Sequence, residues 1–130
     1  MRSRRNPSEP STDGRKRLGA RGEQAAAEYL EGLGYEILVR NWRSRLGEID
    51  VVARDDKTVV FVEVKLRFDI YDPLEAVDAR KRHKLSQLAF DFLLHHGMLA
   101  APARFDVIGV EGRTLACTHV RDAFDSTLDY

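Results

Sequence analysis

Two carboxylates and a lysine, Asp50, Glu63 and Lys65, lie in segments that would bring them together, and together they suit metal-assisted hydrolysis of a phosphate ester. Residues 47–53 read Gly-Glu-Ile-Asp-Val-Val-Ala, and residues 58–66 read Thr-Val-Val-Phe-Val-Glu-Val-Lys-Leu. Their apolar, β-branched content predicts two strands. Strict alternation puts Glu48 and Asp50 on one face of the first strand and Ile49, Val51 and Ala53 on the other; Glu63 and Lys65 share a face with Val59 and Phe61. A turn centred on Asp56 and Lys57 pairs residues whose numbers sum to 113, which sets Asp50 opposite Glu63 and Glu48 opposite Lys65. Opposed Cβ atoms in an antiparallel pair are roughly 4.5–5.5 Å apart. Carboxylates that close repel, and one of them takes up a proton unless a cation joins them. Mg²⁺, or Mn²⁺ in its place, suits such a site, because it prefers oxygen ligands and needs only one or two carboxylates plus a substrate phosphate. Lys65, one pleat away, would hold a water or offset charge at phosphorus. The competing reading is a solvent-facing charge ladder in which Glu48 pairs with Lys65. Val52, Val59 and Phe61 on the same face weigh against it.

The elements that must position these groups run α-β-β-β-α-β-β. A helix is predicted over residues 16–32, with Leu18, Gly22, Ala25, Ala26, Tyr29 and Leu33 on one stripe and Gly34 as its cap. Glu23 falls at the border of that stripe, where it would lean over the hairpin or simply face water. Residues 35–40 alternate as a strand, and Asn41 to Arg45 read as a basic loop. Asp72-Pro73-Leu74-Glu75 has the form of a helix start, and the helix would run to about His96, burying Leu85, Leu88, Ala89, Phe92 and Leu93. A fourth strand is predicted at 104–110 and a short fifth at 114–119. The strand–helix–strand unit from 58 to 110 should be a right-handed crossover, making the third and fourth strands parallel. The fold class is α/β, a mixed sheet flanked by helices. Residues 1–14 read as a disordered basic tail, 15–120 as one domain, and 121–130 as a loose end.

Composition narrows the classes. The chain has 130 residues, 43% hydrophobic and 32% charged, as in ordinary globular domains. A single cysteine, Cys117, rules out an internal disulfide framework and disfavours a cysteine-based zinc site. No apolar run approaches the length of a membrane span, and no signal peptide is evident, so a cytoplasmic location is expected. Net charge is zero, yet residues 1–21 carry seven basic groups against Glu9 and Asp13. A basic arm on an acidic body fits contact with nucleic acid, or a solvated tail.

Asp50 followed, after twelve residues, by Glu63-Val64-Lys65 resembles the PD-(D/E)XK nuclease signature. More narrowly, the chain resembles the YraN-like uncharacterised protein family of predicted endonucleases. The matching stretches are Gly19-Ala20-Arg21-Gly22-Glu23 with Ala26, Gly34-Tyr35 through Arg40-Asn41-Trp42-Arg43, and Gly47-Glu48-Ile49-Asp50. They continue with Phe61 to Lys65 and Arg67, Glu75 to Val77 with Lys81, and Arg104 to Val107. The resemblance implies a restriction-endonuclease-like fold. The chain is also similar to archaeal Holliday-junction resolvases, in which a first-helix glutamate joins the metal site, and this carries over to Glu23. Leu66 departs from the pattern, which usually shows Thr or Tyr after the lysine.

The catalytic set expected on this basis is Asp50, Glu63, Lys65 and Glu23, with Asp50, Glu63 and Glu23 on the metal and the Val64 carbonyl as a further ligand. Arg43, Arg45, Arg67, Lys81 and Lys84 are candidate phosphate contacts, and Glu48 and Gln87 accessory residues. For Lys81, in line with Val77, Leu85 and Leu88, the alternative is a stem that covers the core. Trp42 suits a core or hinge role better than base stacking. Asp106 reads as structural, anchoring a neighbouring loop. The expected activity is Mg²⁺-dependent endonucleolytic cleavage of DNA, on branched or single-stranded repair or recombination intermediates; junction cleavage would require a homodimer. The alternative is a non-catalytic module of the same fold that binds nucleic acid or a repair partner.

Overall fold

The computed structural model describes residues 12–128, with side chains from Arg17 onward. Helix α1 (Thr12–Gly32) leads into strands β1 (Glu36–Ser44), β2 (Gly47–Asp55) and β3 (Thr58–Arg67). A single 3₁₀ turn (Pro73–Ala76) precedes helix α2 (Ala79–His95), followed by β4 (Ala103–Glu111) and β5 (Cys117–Phe124). The strands form one mixed sheet in the order β1-β2-β3-β4-β5. Only β3 and β4 run parallel, as the crossover through α2 requires. Among the described residues no helix is long and apolar enough to cross a membrane.

The two helices cover opposite faces of the sheet. Ala26 and Leu30 of α1 pack on Val51, Ala53, Val60, Val62, Ile108 and Val110. Leu85, Leu88, Ala89, Phe92 and Leu93 of α2 pack on Ile49, Val52, Val59, Phe61, Phe105 and Val107. The alternating apolar residues of β3 and β4 therefore feed two cores, and this is why the two central strands read as almost unbroken apolar runs. Gly34, at φ 91°, turns the chain out of α1, and the Tyr35 N–H donates to the Leu30 carbonyl.

Several boundaries differ from those the sequence suggests. Residues 12–14, expected in the tail, form the first turn of α1, and residues 1–11 lie outside the described residues. The basic stretch Asn41 to Ser44 is not a loop but the end of β1. The predicted second helix is two pieces. Asp72 caps the 3₁₀ turn by accepting from the Leu74 N–H, the chain then opens at Val77, and Asp78 starts α2 by accepting from the Lys81 N–H. Two capping aspartates six residues apart encode two starts, where the sequence pattern predicts one continuous helix. β5 runs on to the buried Phe124, which stacks on Phe105, so residues 121–124 belong to the sheet.

The inward–outward pattern of β2 also departs from strict alternation. Ile49 and Val52 both pack on the α2 side, whereas Val51 and Ala53 face α1. On β1, Val39 and Trp42 likewise both lie on the α2 side. Asn41, between them, takes a left-handed conformation at φ 53°. The pleat slips by one residue in both strands at the same level, and Ile49 therefore does not share a face with Val51 and Ala53 as expected.

Candidate functional site

The β2–β3 hairpin keeps the expected register from Asp55↔Thr58 to Val51↔Val62. The ladder stops there. At the next position the Asp50 carboxylate takes the place of a strand carbonyl, its Oδ2 accepting from the Val64 N–H at 2.8 Å. The slip in β2 turns Glu48 and Asp50 toward α1, and Glu23 comes down from α1 to meet them. One carboxylate oxygen from each of Glu23, Glu48 and Asp50 lies within 4.8 Å of the others.

Gly22 explains how α1 comes so close. A Cβ there would sit 3.2 Å from Leu66 Cδ1 and 3.3 Å from Leu66 Cβ, so the missing side chain lets the helix approach β3 one residue from Lys65. Leu66, the departure from the nuclease pattern, is thus a packing residue under α1.

Glu63 points elsewhere. Its side chain, 12% exposed, pairs with Lys81 of α2, Nζ to Oε1 at 3.5 Å. It is not a member of the close carboxylate group, although it is near enough to act on Asp50 through its charge. Burial, then repulsion from Glu63 and Glu23, push Asp50 up to about 7, against the Val64 N–H and Lys81. Burial also raises Glu63, outweighing the attraction of Lys81 and Lys65. The Lys65 ammonium makes no ion pair among the described residues; its backbone carbonyl accepts from the Tyr71 hydroxyl at 3.0 Å. The Glu48–Lys65 ladder is not formed, since Glu48 pairs with Arg43, its cross-strand neighbour on β1, at 2.7 Å.

The remaining candidates scatter. Arg43 is committed to Glu48, and the Arg67 guanidinium lies over the Tyr71 ring at 5.4 Å. Arg45 is exposed in the β1–β2 turn, and Gln87 is half-buried on α2. Lys84 is exposed, its stem reaching Gly47 at the start of β2. The basic run of α2 does not act as a block: Arg82 donates to the Val77 carbonyl, and His83 bonds Thr127. Trp42 packs edge-on to Phe92, so the core reading holds.

Asp106 is wholly buried and accepts from Arg104, His119 and the Asp122 N–H. Arg104 also reaches Asp55 at 3.1 Å and the Tyr35 hydroxyl at 2.7 Å. The structural role expected of Asp106 holds, but it ties strands rather than a loop: its partners lie on β4 and β5, and Arg104 carries the network to Asp55 of β2 and to Tyr35 ahead of β1. Sequence reading missed Arg104 and His119 as partners of Asp106, as well as the Lys81–Glu63 pair and the Tyr71 contact: His119 and Lys81 are distant in the chain from the carboxylates they meet, and the nearer Arg104 and Tyr71 contacts depend on side-chain direction, which spacing does not give.

A five-stranded mixed sheet between two helices, with carboxylates meeting where a hairpin ladder breaks, defines the class: a mixed α/β protein with an acidic cluster of oxygen donors. Residues 22–110 match the uncharacterised protein family UPF0102, and the chain belongs to that family. It is 41% identical over 116 residues to a UPF0102 protein of Desulfosudis oleivorans, covering 88% of this chain and 94% of the relative. A UPF0102 protein of Symbiobacterium thermophilum is 47% identical over 115 residues, covering 84% of this chain and 97% of the relative. One from Geobacter sulfurreducens is 50% identical over 99 residues, covering 73% and 76%.

Proposed function

We propose that this protein is a divalent-metal-dependent endonuclease of the restriction-endonuclease-like type, acting on DNA. The observation that carries the reading is the convergence of Glu23, Glu48 and Asp50 within 4.8 Å, beside Glu63 and at a break in the sheet. Like charges gathered this closely in a half-buried place are costly without a counter-charge. An all-oxygen donor set suits hard cations such as Mg²⁺ or Mn²⁺. Asp50, Glu23 and Glu48 would hold the ion, with Glu63 joining from β3. When bound, the ion supplies Lewis-acid polarisation of the phosphate and a more acidic water.

The chain's own residues do the rest. Lys65, on the strand of Glu63 and in no ion pair among the described residues, offsets charge on the phosphate and orients the water that attacks it. Arg45 and Lys84 are exposed and can grip flanking phosphates. Tyr71 fixes the backbone of Lys65 through its carbonyl. Junction cleavage on this scheme would need a second copy of the chain to supply the other cut.

The test is a panel of DNA junction, flap, single strand and duplex, with RNA for comparison, incubated with Mg²⁺ or Mn²⁺. The protein should cleave at least one DNA substrate, and Asp50→Ala and Lys65→Ala should each abolish the cleavage. Equal cutting by all three proteins would reject the site. Binding without cutting, in a protein that takes up no Mn²⁺ by calorimetry, would favour the non-catalytic module.

A further inference from the structure

Lys81 is the one cation within ion-pairing distance of Glu63 among the described residues, and it stands between two environments. On one side is Glu63. On the other is an open groove at the start of α2, lined by Ala76, Asp78, Arg80, Lys81 and Lys84. Asp78 is engaged in capping, its Oδ1 accepting from the Lys81 N–H at 2.9 Å, so three cations face the groove against one occupied carboxylate. That balance is complementary to phosphate. The groove lies beside the start of β2, because the Lys84 stem passes 3.9 Å from the Cβ position of Gly47, next to Glu48.

The Lys81–Glu63 contact is loose. At 3.5 Å it is longer than an ordinary charge-assisted hydrogen bond, and the Lys81 side chain is 41% exposed. A lysine has three donors on a flexible four-carbon stem, so its ammonium can swing between neighbouring partners without moving the helix.

We propose that Lys81 is a two-position counter-ion: without a divalent cation it neutralises Glu63, and once Glu63 is a cation ligand it turns into the α2 groove and binds a nucleic-acid phosphate. This rests on the reading of the acidic cluster as a cation site. It makes cation and nucleic acid help one another bind, and the coupling must be reciprocal.

The experiment measures affinity for a short labelled single-stranded DNA, in EDTA and in saturating Ca²⁺, for the wild-type protein, Lys81→Met and Lys81→Arg. Calorimetry with Ca²⁺ alone and a thermal melt of each protein accompany it. In EDTA, Lys81→Met should bind DNA within about twofold of wild type. In Ca²⁺ it should bind roughly tenfold more weakly, with the salt slope reduced by about one. Lys81→Arg should restore most of the loss. Lys81→Met should also bind Ca²⁺ alone more tightly than wild type, because a competing positive charge is gone. An equal DNA penalty with and without Ca²⁺, or no penalty, overturns the two-position role while leaving the cation site standing. Failure of the wild-type protein to take up Ca²⁺ overturns the cation site itself.

Discussion

Asn41 stands across the β1–β2 pair from Asp50, in the gap between Arg40↔Val51 and Trp42↔Ile49, and it does so in the left-handed region at φ 53°. The site is therefore set by a backbone irregularity shared by two neighbouring strands. Asn enters that region more easily than most residues, whereas β-branched residues enter it at real cost. Asn41→Gly should leave stability within about 0.5 kcal/mol of wild type, and Asn41→Val should cost about 2 kcal/mol. Urea unfolding measures both. A Val variant as stable as wild type would show that the kink does not constrain the strand.

Asp50 carries the electrostatic load of the cluster. Its folded pKa, about 7, lies above that of an unfolded aspartate, so the ionised form costs stability. The cost is absent below about pH 4, grows as pH rises toward 7, and is constant beyond. Asp50→Asn keeps an oxygen to accept from Val64 and removes the charge. It should raise stability by about 2 kcal/mol at pH 8 and change nothing at pH 4. Denaturant titrations at the two pH values decide the matter, and a destabilised variant at pH 8 would contradict the repulsion described. The same substitution should abolish stabilisation by added Mn²⁺.

The Gly22–Leu66 contact sets the height of α1 above the sheet. Gly22→Ala gains about 1 kcal/mol in helix propensity but places a methyl 3.2 Å from Leu66 Cδ1. The two terms nearly cancel in stability, so the effect should appear at the site. Glu23 rides up with the helix, and Mn²⁺ affinity should fall roughly tenfold, about 1.4 kcal/mol. Adding Leu66→Ala gives the new methyl room, and the double variant should recover the affinity. Calorimetry on the two proteins tests this, and an unaffected Gly22→Ala would remove Glu23 from the ligand set.

Asp106 is held by partners at every oxygen. Burial alone would raise its pKa, but His119, Arg104 and the Asp122 N–H outweigh it and hold the carboxyl below the usual range. Its stabilising contribution is therefore complete above about pH 4 and is lost as pH falls below that. Asp106→Ala leaves a guanidinium and an imidazole in a dry interior and should cost about 3–5 kcal/mol at pH 7. A melt showing a loss below 1 kcal/mol would mean that the network carries little.

Much of this was legible in the residues. The hairpin register followed from the turn at Asp56 and Lys57, the parallel β3–β4 pair from the length of the crossover, and the two buried faces from the apolar runs of β3 and β4. Asp50 and Glu23 were found from spacing and resemblance, and the structure brings them together. Glu48, expected as an accessory residue, joins them, whereas Glu63, expected opposite Asp50, reaches Lys81 instead. The reason is local. Alternation assumes an unbroken pleat, and the left-handed residue at 41 shifts the facing of β2 by one position. Asparagine is compatible with that conformation but does not require it, so the kink could not be read from the sequence. The α2 boundary differs for another reason: both capping aspartates are used, Asp72 for a single 3₁₀ turn and Asp78 for α2, with the chain opening at the buried Val77 between them.

The two ends of the β2–β3 hairpin are held by opposite means. At the turn, Arg104 bonds to Asp55, Tyr35 and Asp106; at the open end, the ladder gives way to carboxylates that repel. Amide protons near Val60 and Ala53 should therefore exchange with solvent only on global unfolding, whereas that of Val64, held by one side chain, should exchange through local fraying. β3 stays paired with β4 past Val64, so the weak seam at this end is the one between β2 and β3, beside the acidic cluster. Occupation of the acidic cluster should slow exchange at Val64 by orders of magnitude and leave Val60 almost untouched, giving a readout of site filling that requires no turnover.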